Sequence, residues 1–193
     1  MMNMHSIVDM PRSIFGAHVG LLPDRAQLRS SSVEERLSRL ELLVAGQDIL
    51  SRYAYLYDAK ELDALLALYA EDATLINSSG TYAGLLAIRA AHEADLPRTN
   101  YSFHHFTTIS VTGAGPDMCV SAYLYNMAAR EDQPYGTVAS VIFRLVLVHD
   151  VWKIVEARIA LTARHALAPI GFKPAGAPPY ATGDRTSSEL IGG

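Results

Sequence analysis

The segment SFHHFTTISVT, residues 102–112, is rich in the β-branched and aromatic residues that favour strands. Three segments of the same kind follow it, at residues 118–128, 137–149 and 151–162. Short turn-forming or charged stretches separate the first three, and Asp150 alone separates the last two. Strands that follow one another with such short links pair antiparallel. The C-terminal half therefore predicts an antiparallel sheet.

The chain upstream of this sheet is helical by pattern. Ser32 and Glu35 have the spacing of a capping box, in which each side chain bonds the other's backbone N–H. A long helix should follow, with an apolar stripe that includes Leu37, Leu40 and Val44. Shorter elements come next: a helix at about 61–70, a strand at 73–77 and a helix at about 85–94. This order predicts an α+β cone, in which a curved, mostly antiparallel sheet wraps around a long helix and further helices enclose a pocket.

Length and composition limit the class of protein. A chain of 193 residues suggests one domain with tails. We predict an N-terminal arm at residues 1–30, the folded domain at 31–167 and a tail rich in proline and glycine at 168–193.

The net charge of −4 argues against a nucleic-acid binder, which needs a basic surface. No apolar run approaches the roughly 20 residues that span a bilayer, so no membrane is expected as a partner. The single cysteine, Cys119, suits a reducing compartment, and we expect a cytoplasmic protein.

The alternation of side chains along residues 102–112 selects a candidate base. The face that carries Phe103, His105 and Ile109 is the more apolar one, which predicts that His105 points inward and His104 outward. The same alternation in the next strand predicts that Asn126 also points inward. Buried groups of this kind need hydrogen-bond partners.

The long helix offers a partner for His105. Its apolar stripe ends in Tyr53, Tyr57 and Asp58, and a carboxylate there is costly unless it is paired. Asp58 bonded to His105 would fix the imidazole tautomer and raise its basicity, as a general base requires. Either tyrosine, together with Asn126, could then donate to a substrate oxygen.

Each of these residues also has a structural interpretation. Asp58 and Glu61 fit a capping box for the second helix about equally well. A core histidine is more often simply hydrogen-bonded than catalytic, and the two tyrosines could be core aromatics. We further assign Tyr123 and Arg158 to substrate binding, although Arg158 shares a strand face with Glu156 and an ion pair is its default interpretation.

Residues 52–73, RYAYLYDAKELDALLALYAEDA, resemble the opening of SnoaL-like members of the NTF2-like superfamily. FHHFT at 103–107 and VWKI at 151–154 resemble the sheet signatures of that family, and the likeness extends over about 33–166. The Asp58–His105 pair is similar to the pair in scytalone dehydratase and bile-acid 7α-dehydratase members. Tyr53 and Tyr57 match tyrosines of those enzymes. The bile-acid enzyme has an aspartate where this chain has Asn126.

The resemblance implies a cofactor-independent lyase or isomerase, of the dehydratase or cyclase type. Its substrate would be a hydrophobic, oxygenated small molecule such as a polyketide, steroid or terpenoid. Two alternatives stay open: a binding or subunit-pairing protein without chemistry, and the small subunit of a ring-hydroxylating oxygenase. The sheet face left uncovered predicts a homo-oligomer, a dimer or a trimer.

Overall fold

The computed structural model describes residues 31–114, 116–130 and 133–167. Four helical segments precede or interrupt the first strands: α1 (Val33–Asp58), α2 (Leu62–Leu66), α3 (Leu85–Asp95) and a 3₁₀ turn (Leu96–Arg98). Six strands complete the domain: β1 (Tyr69–Asn77), β2 (Gly80–Ala83), β3 (Tyr101–Ala114), β4 (Asp117–Arg130), β5 (Gln133–Val148) and β6 (Val151–Ala166).

All six strands form one open sheet in the order β2-β1-β6-β5-β4-β3. Strands β3 to β6 form an antiparallel meander, and β1 joins its edge by pairing parallel to β6. A two-residue turn connects β5 to β6, with positive φ at both His149 and Asp150. Such turns match the twist of the flanking strands. The predicted α+β fold, with a curved and mostly antiparallel sheet around a long helix, is confirmed.

Some predicted elements change in length. The capping box at Ser32 and Glu35 is present and begins α1. The second helix is only five residues long, because β1 already begins at Tyr69. The predicted arm at 1–30 and the predicted tail at 168–193 both lie outside the described residues.

A β-bulge interrupts β3 and reverses which side chains face the helix. Thr107 pairs with Tyr123 and Ser110 with Ser121, so three steps on β3 match two on β4. Thr108 absorbs the extra residue with a φ of 52°. As a result, Phe106 and Val111 lie on the same inner face, although they are an odd number of residues apart.

The core lies between this inner face and α1. The N-terminal half of α1 contributes little to it, since Leu37, Leu40 and Val44 are exposed in the described part of the chain. The buried residues of α1 lie in its C-terminal half; they are Gly46, Ile49, Leu50 and Tyr53. These side chains pack on inner-face residues of the central strands, including Val120, Val141 and Phe143. The buried half of α1 thus carries Asp58 to the sheet.

Gly46 sets how closely α1 approaches the sheet. A Cβ at this position would lie 2.7 Å from Cγ2 of Val111 and 3.0 Å from Cγ2 of Val120. Both neighbours are branched side chains on paired strands and have little room to yield.

We therefore expect Gly46→Ala to destabilise the protein by about 1–2 kcal/mol, although helix propensity alone favours alanine by about 1 kcal/mol. Urea unfolding measures the change. Val111→Ala should recover part of the loss in the double variant, because it removes the nearer methyl group. A stabilised Gly46→Ala protein would contradict the packing.

Within the described residues, no helix is both long enough and apolar enough to cross a membrane.

Candidate active site

The end of α1 is fixed by backbone hydrogen bonds. Lys60 has a φ of 60°, and its N–H donates to the carbonyl of Tyr57 while that of Glu61 donates to the carbonyl of Leu56. This pattern is a Schellman motif, here closed without glycine. Nζ of Lys60 then donates to the carbonyl of Thr99, just before β3, at 2.5 Å. The C-terminus of α1 is thereby held beside the start of β3.

Asp58, the last residue of α1, is paired with His104. Its Oδ1 lies 2.6 Å from Nδ1 of His104 and accepts a 2.7 Å hydrogen bond from the hydroxyl of Ser102. Its Oδ2 accepts a 2.8 Å bond from the backbone N–H of His104. The side chain of His104 is only 8% exposed. A carboxylate at the negative end of a helix is unfavourable, and these three bonds offset that cost.

The predicted Asp58–His105 contact is therefore wrong, because Asp58 binds His104 instead. His105 is exposed on the opposite face of β3. The prediction followed side-chain alternation from Ile109 and Val111 back to His105 without a break, and the bulge at Thr108 shifts that alternation by one residue. Asp58 also does not cap the second helix, whose N-cap is Glu61 without a side-chain bond.

The hydrogen bonds of Asp58 determine the state of the imidazole. An ionised carboxylate only accepts hydrogen bonds, so Nδ1 of His104 must donate to it. Nε2 then carries the lone pair in the neutral ring. A carboxylate in this position fixes the tautomer and can stabilise an imidazolium, so the pair has the chemistry that a general base requires.

Tyr57 belongs to a second network beside the Asp58–His104 pair. Its hydroxyl donates to Oδ2 of Asp95 at 2.7 Å, and the guanidinium of Arg130 binds the other carboxylate oxygen. Its ring centroid lies 4.7 Å from that of His104. Because the phenol proton is already given to Asp95, Tyr57 supports the histidine by packing and is not poised to donate to a substrate.

Tyr53 lies one turn earlier and is 2% exposed. Its ring packs edge-on against Phe106 and Phe143 and is stacked with Tyr57. Burial raises the pKa of Tyr53 to about 12, and burial together with the Asp95 carboxylate raises that of Tyr57 still further. Both phenols therefore stay protonated at neutral pH, and their stacked rings form an aromatic cluster that contacts His104 through Tyr57.

His92, on α3, joins this cluster through its contact with Tyr57. It is 5% exposed, and its ring meets that of Tyr57 edge-on at 5.7 Å. Nε2 is buried with no hydrogen-bond partner among the described residues. Burial lowers the pKa of His92 to about 4, against the opposing effect of the Asp95 charge. His92 is consequently neutral at physiological pH.

Asn126 lies where the sequence predicts, on the inner face. It pairs in register with His104 on one side and with Thr137 on the other. The side-chain oxygens of Asn126 and Thr137 are both buried without a hydrogen-bond partner in the described chain. An amide oxygen that accepts and a hydroxyl that can donate or accept, both buried without a partner, mark a position that a ligand or water would fill.

The other two predicted substrate contacts lie away from this cluster. Tyr123 pairs with Thr107 on the outer face of the sheet and is exposed. Arg158 is also exposed, and it forms a 2.7 Å ion pair with Glu156, as the structural interpretation of this residue expected. Neither side chain reaches the inner face, because side chains alternate between the two faces along a strand and both of these fall on the outer one.

Four residues of the cluster were not singled out from the sequence: Ser102, His92, Asp95 and Arg130. Ser102 shares a strand face with His104, so choosing the correct face would have found it. His92 follows the buried Ile88 by one turn of α3. Asp95 and Arg130 meet only through the fold, and no local pattern signals their pairing.

The chain belongs to the SnoaL-like domain family, whose model matches residues 38–158. Together with the sheet topology, this defines an NTF2-like α+β domain. No curated protein matches the chain by sequence.

Several solved structures have a similar fold to this chain, although their sequence identity to it is low. A hexachlorocyclohexane dehydrochlorinase, LinA type 2, is 21% identical with a TM-score of 0.66, covering 74% of this chain and 99% of its own. A candidate scytalone dehydratase from Novosphingobium aromaticivorans is 17% identical with a TM-score of 0.61, covering 73% and 99%. An NTF2-like protein with a cystatin-like fold, also from Novosphingobium aromaticivorans, is 20% identical with a TM-score of 0.55, covering 68% and 91%.

Proposed function

We propose that the protein is a cofactor-independent lyase in which His104 removes a proton from carbon and Asp58 orients His104. The observation that carries this proposal is the 2.6 Å contact between Nδ1 of His104 and Oδ1 of Asp58 on the inner face of the sheet. The names of two structural neighbours, a dehydrochlorinase and a candidate dehydratase, are consistent with an elimination.

The proposed elimination needs a base, space for the leaving group and a site from which water is excluded. Nε2 of His104 would take the proton next to a carbonyl or another electron-withdrawing group, and Asp58 would stabilise the imidazolium that results. The electron pair of the broken C–H bond forms the new double bond and expels hydroxide or halide from the neighbouring carbon. The imidazolium can return its proton to a departing hydroxide, which leaves as water.

The substrate class follows from the walls of the site. Tyr53, Phe106 and Leu124 belong to the hydrophobic core on the same inner face as the histidine, and Asn126 is the residue of β4 that pairs in register with His104. A hydrophobic molecule with a few oxygen atoms, such as a polyketide, steroid or terpenoid, fits these walls. A cytoplasmic location and a homo-oligomeric state stay predictions.

A substrate screen in D₂O tests the proposal. The protein is incubated with hydrophobic β-hydroxy and β-chloro ketones, and mass spectrometry detects loss of water or HCl and gain of deuterium at the acidic carbon. We expect at least one compound to react with the wild-type protein and not with Asp58→Asn. Compounds that bind to the inner-face site but neither eliminate nor exchange would contradict the proposal and support a protein that only binds ligands.

A further inference from the structure

A cavity of about 460 Å³ opens at the end of strands β4, β5 and β6. Its lining includes two arginines, Arg130 from β4 and Arg164 from β6, together with Tyr135 of β5. Tyr135 and Arg164 share the inner face with Thr137, because Arg164 pairs with Thr137 and Tyr135 precedes it by two residues. The cavity therefore lies at the end of the same sheet face that carries His104.

The two arginines differ in how their charge is balanced. Arg130 binds the carboxylate of Asp95, which compensates it. Arg164 lies 4.8 Å above the ring of Tyr135 and has no carboxylate partner among the described residues. A guanidinium stacked on an aromatic ring keeps its N–H edge available for two parallel hydrogen bonds to an oxyanion. Among the described residues, the cavity therefore holds one positive charge that has no carboxylate partner, in a protein whose net charge is −4.

A line of polar groups connects this charge to the histidine. In register across the sheet lie His104, Asn126, Thr137 and Arg164. Three strand spacings separate the Cα atoms of the outer two by about 14 Å. The side-chain oxygens of the inner two are the buried oxygens that lack partners. An elongated molecule lying along this line could donate a hydrogen bond to the amide oxygen of Asn126 and could either donate to or accept from the hydroxyl of Thr137.

We propose that the substrate is a hydrophobic carboxylic acid whose carboxylate binds Arg164 while its reacting carbon lies at His104. The inference rests on the proposed function only for the position of the reacting carbon, because recognition of the carboxylate by Arg164 is independent of any reaction. It narrows the substrate class to acids long enough to extend from β6 to β3.

Calorimetry with a matched pair of probes tests the inference. Biphenyl-4-carboxylate and biphenyl-4-carboxamide have the same shape and differ in charge. We expect the wild-type protein to bind the carboxylate about ten- to a hundredfold more tightly, the usual effect of a hydrogen-bonded charge. Arg164→Gln should bring the two affinities together by weakening the carboxylate alone. Arg158→Gln, on the outer face, should leave the preference intact.

Three results would overturn the inference. They are equal affinities in the wild-type protein, an equal loss for both probes in Arg164→Gln, and binding of biphenyl-4-yl phosphate more than tenfold tighter than the carboxylate, which would assign the site to phosphate esters. His104→Gln separates this inference from the proposed function. It should keep the carboxylate preference whether or not the protein catalyses an elimination.

Discussion

Replacing His104 with glutamine is expected to lower the turnover of an elimination substrate by about 100- to 10,000-fold, the usual contribution of a general base. Glutamine preserves much of the bulk of the ring but cannot take a proton from carbon. KM should change little, because most contacts to a hydrophobic substrate would come from other side chains. Steady-state kinetics on a substrate from the D₂O screen measure both quantities.

His105→Gln is the matched control, since it is the same change one residue away on the exposed face of β3. Its turnover should equal that of the wild-type protein within error. Asp58→Asn should also lose most of its activity, because an amide can donate to Nδ1 and so permit the wrong tautomer. Equal losses in His104→Gln and His105→Gln would contradict the assignment, provided that circular dichroism shows both proteins folded.

The second large effect concerns stability and comes from His92. Its pKa is about 4 in the folded protein and 6.5 for the unperturbed side chain. Between these values the unfolded chain binds more protons, so stability falls as the pH falls from 6.5 through 4. At and above neutral pH this contribution is fully present. The loss from His92 alone should be about 2 kcal/mol between pH 7 and pH 4.5.

His92→Phe isolates this effect, because phenylalanine keeps the ring contact with Tyr57 and cannot be protonated. The free energy of unfolding in urea, measured at pH 7 and at pH 4.5, should fall by about 2 kcal/mol more in the wild-type protein than in the variant. Other titrating groups contribute equally to both proteins and cancel in the difference. Parallel pH dependences would show that His92 is not held neutral by burial.

The fold could be predicted from the sequence because its signals are local. A capping box at Ser32, a long helix and four strand segments in succession each have a pattern within a few residues. The family resemblance joined these elements into one topology. The length of the second helix was overestimated, because Tyr69, which fits the apolar face of a helix, is instead the first residue of β1.

The site was predicted in part, and the error has one physical source. Asp58 and Asn126 lie where helix and strand periodicity place them. The histidine was chosen by alternation along β3, and one extra residue at Thr108 was enough to reverse the choice. A bulge has no strong sequence signal, since Thr108 is not glycine. The unbroken apolar alternation of β4, paired against β3, would have pointed to His104 had the register been known.

Hydrogen-bond networks between distant segments of the chain could not be predicted from the sequence. Asp95 and Arg130 are separated by 35 positions, and the tyrosine that joins them to the histidine comes from a third segment. Tyr57 looked like a donor to substrate because its hydroxyl had no visible partner in the sequence. The carboxylate of Asp95, which accepts the hydrogen bond from this hydroxyl, is brought to Tyr57 only by the packing of α3 against α1.

Nitrogen NMR of the histidine rings tests the central claim most directly. Long-range ¹H–¹⁵N correlation spectra of the labelled protein at alkaline pH distinguish the two neutral tautomers, and His104→Gln and His105→Gln assign the signals. We predict that His104 is held in the form protonated at Nδ1 and that Asp58→Asn releases it from that form, while His105 behaves as an exposed imidazole in both proteins. A His104 ring protonated at Nε2, or a His105 signal that responds to Asp58→Asn in its place, would contradict the account.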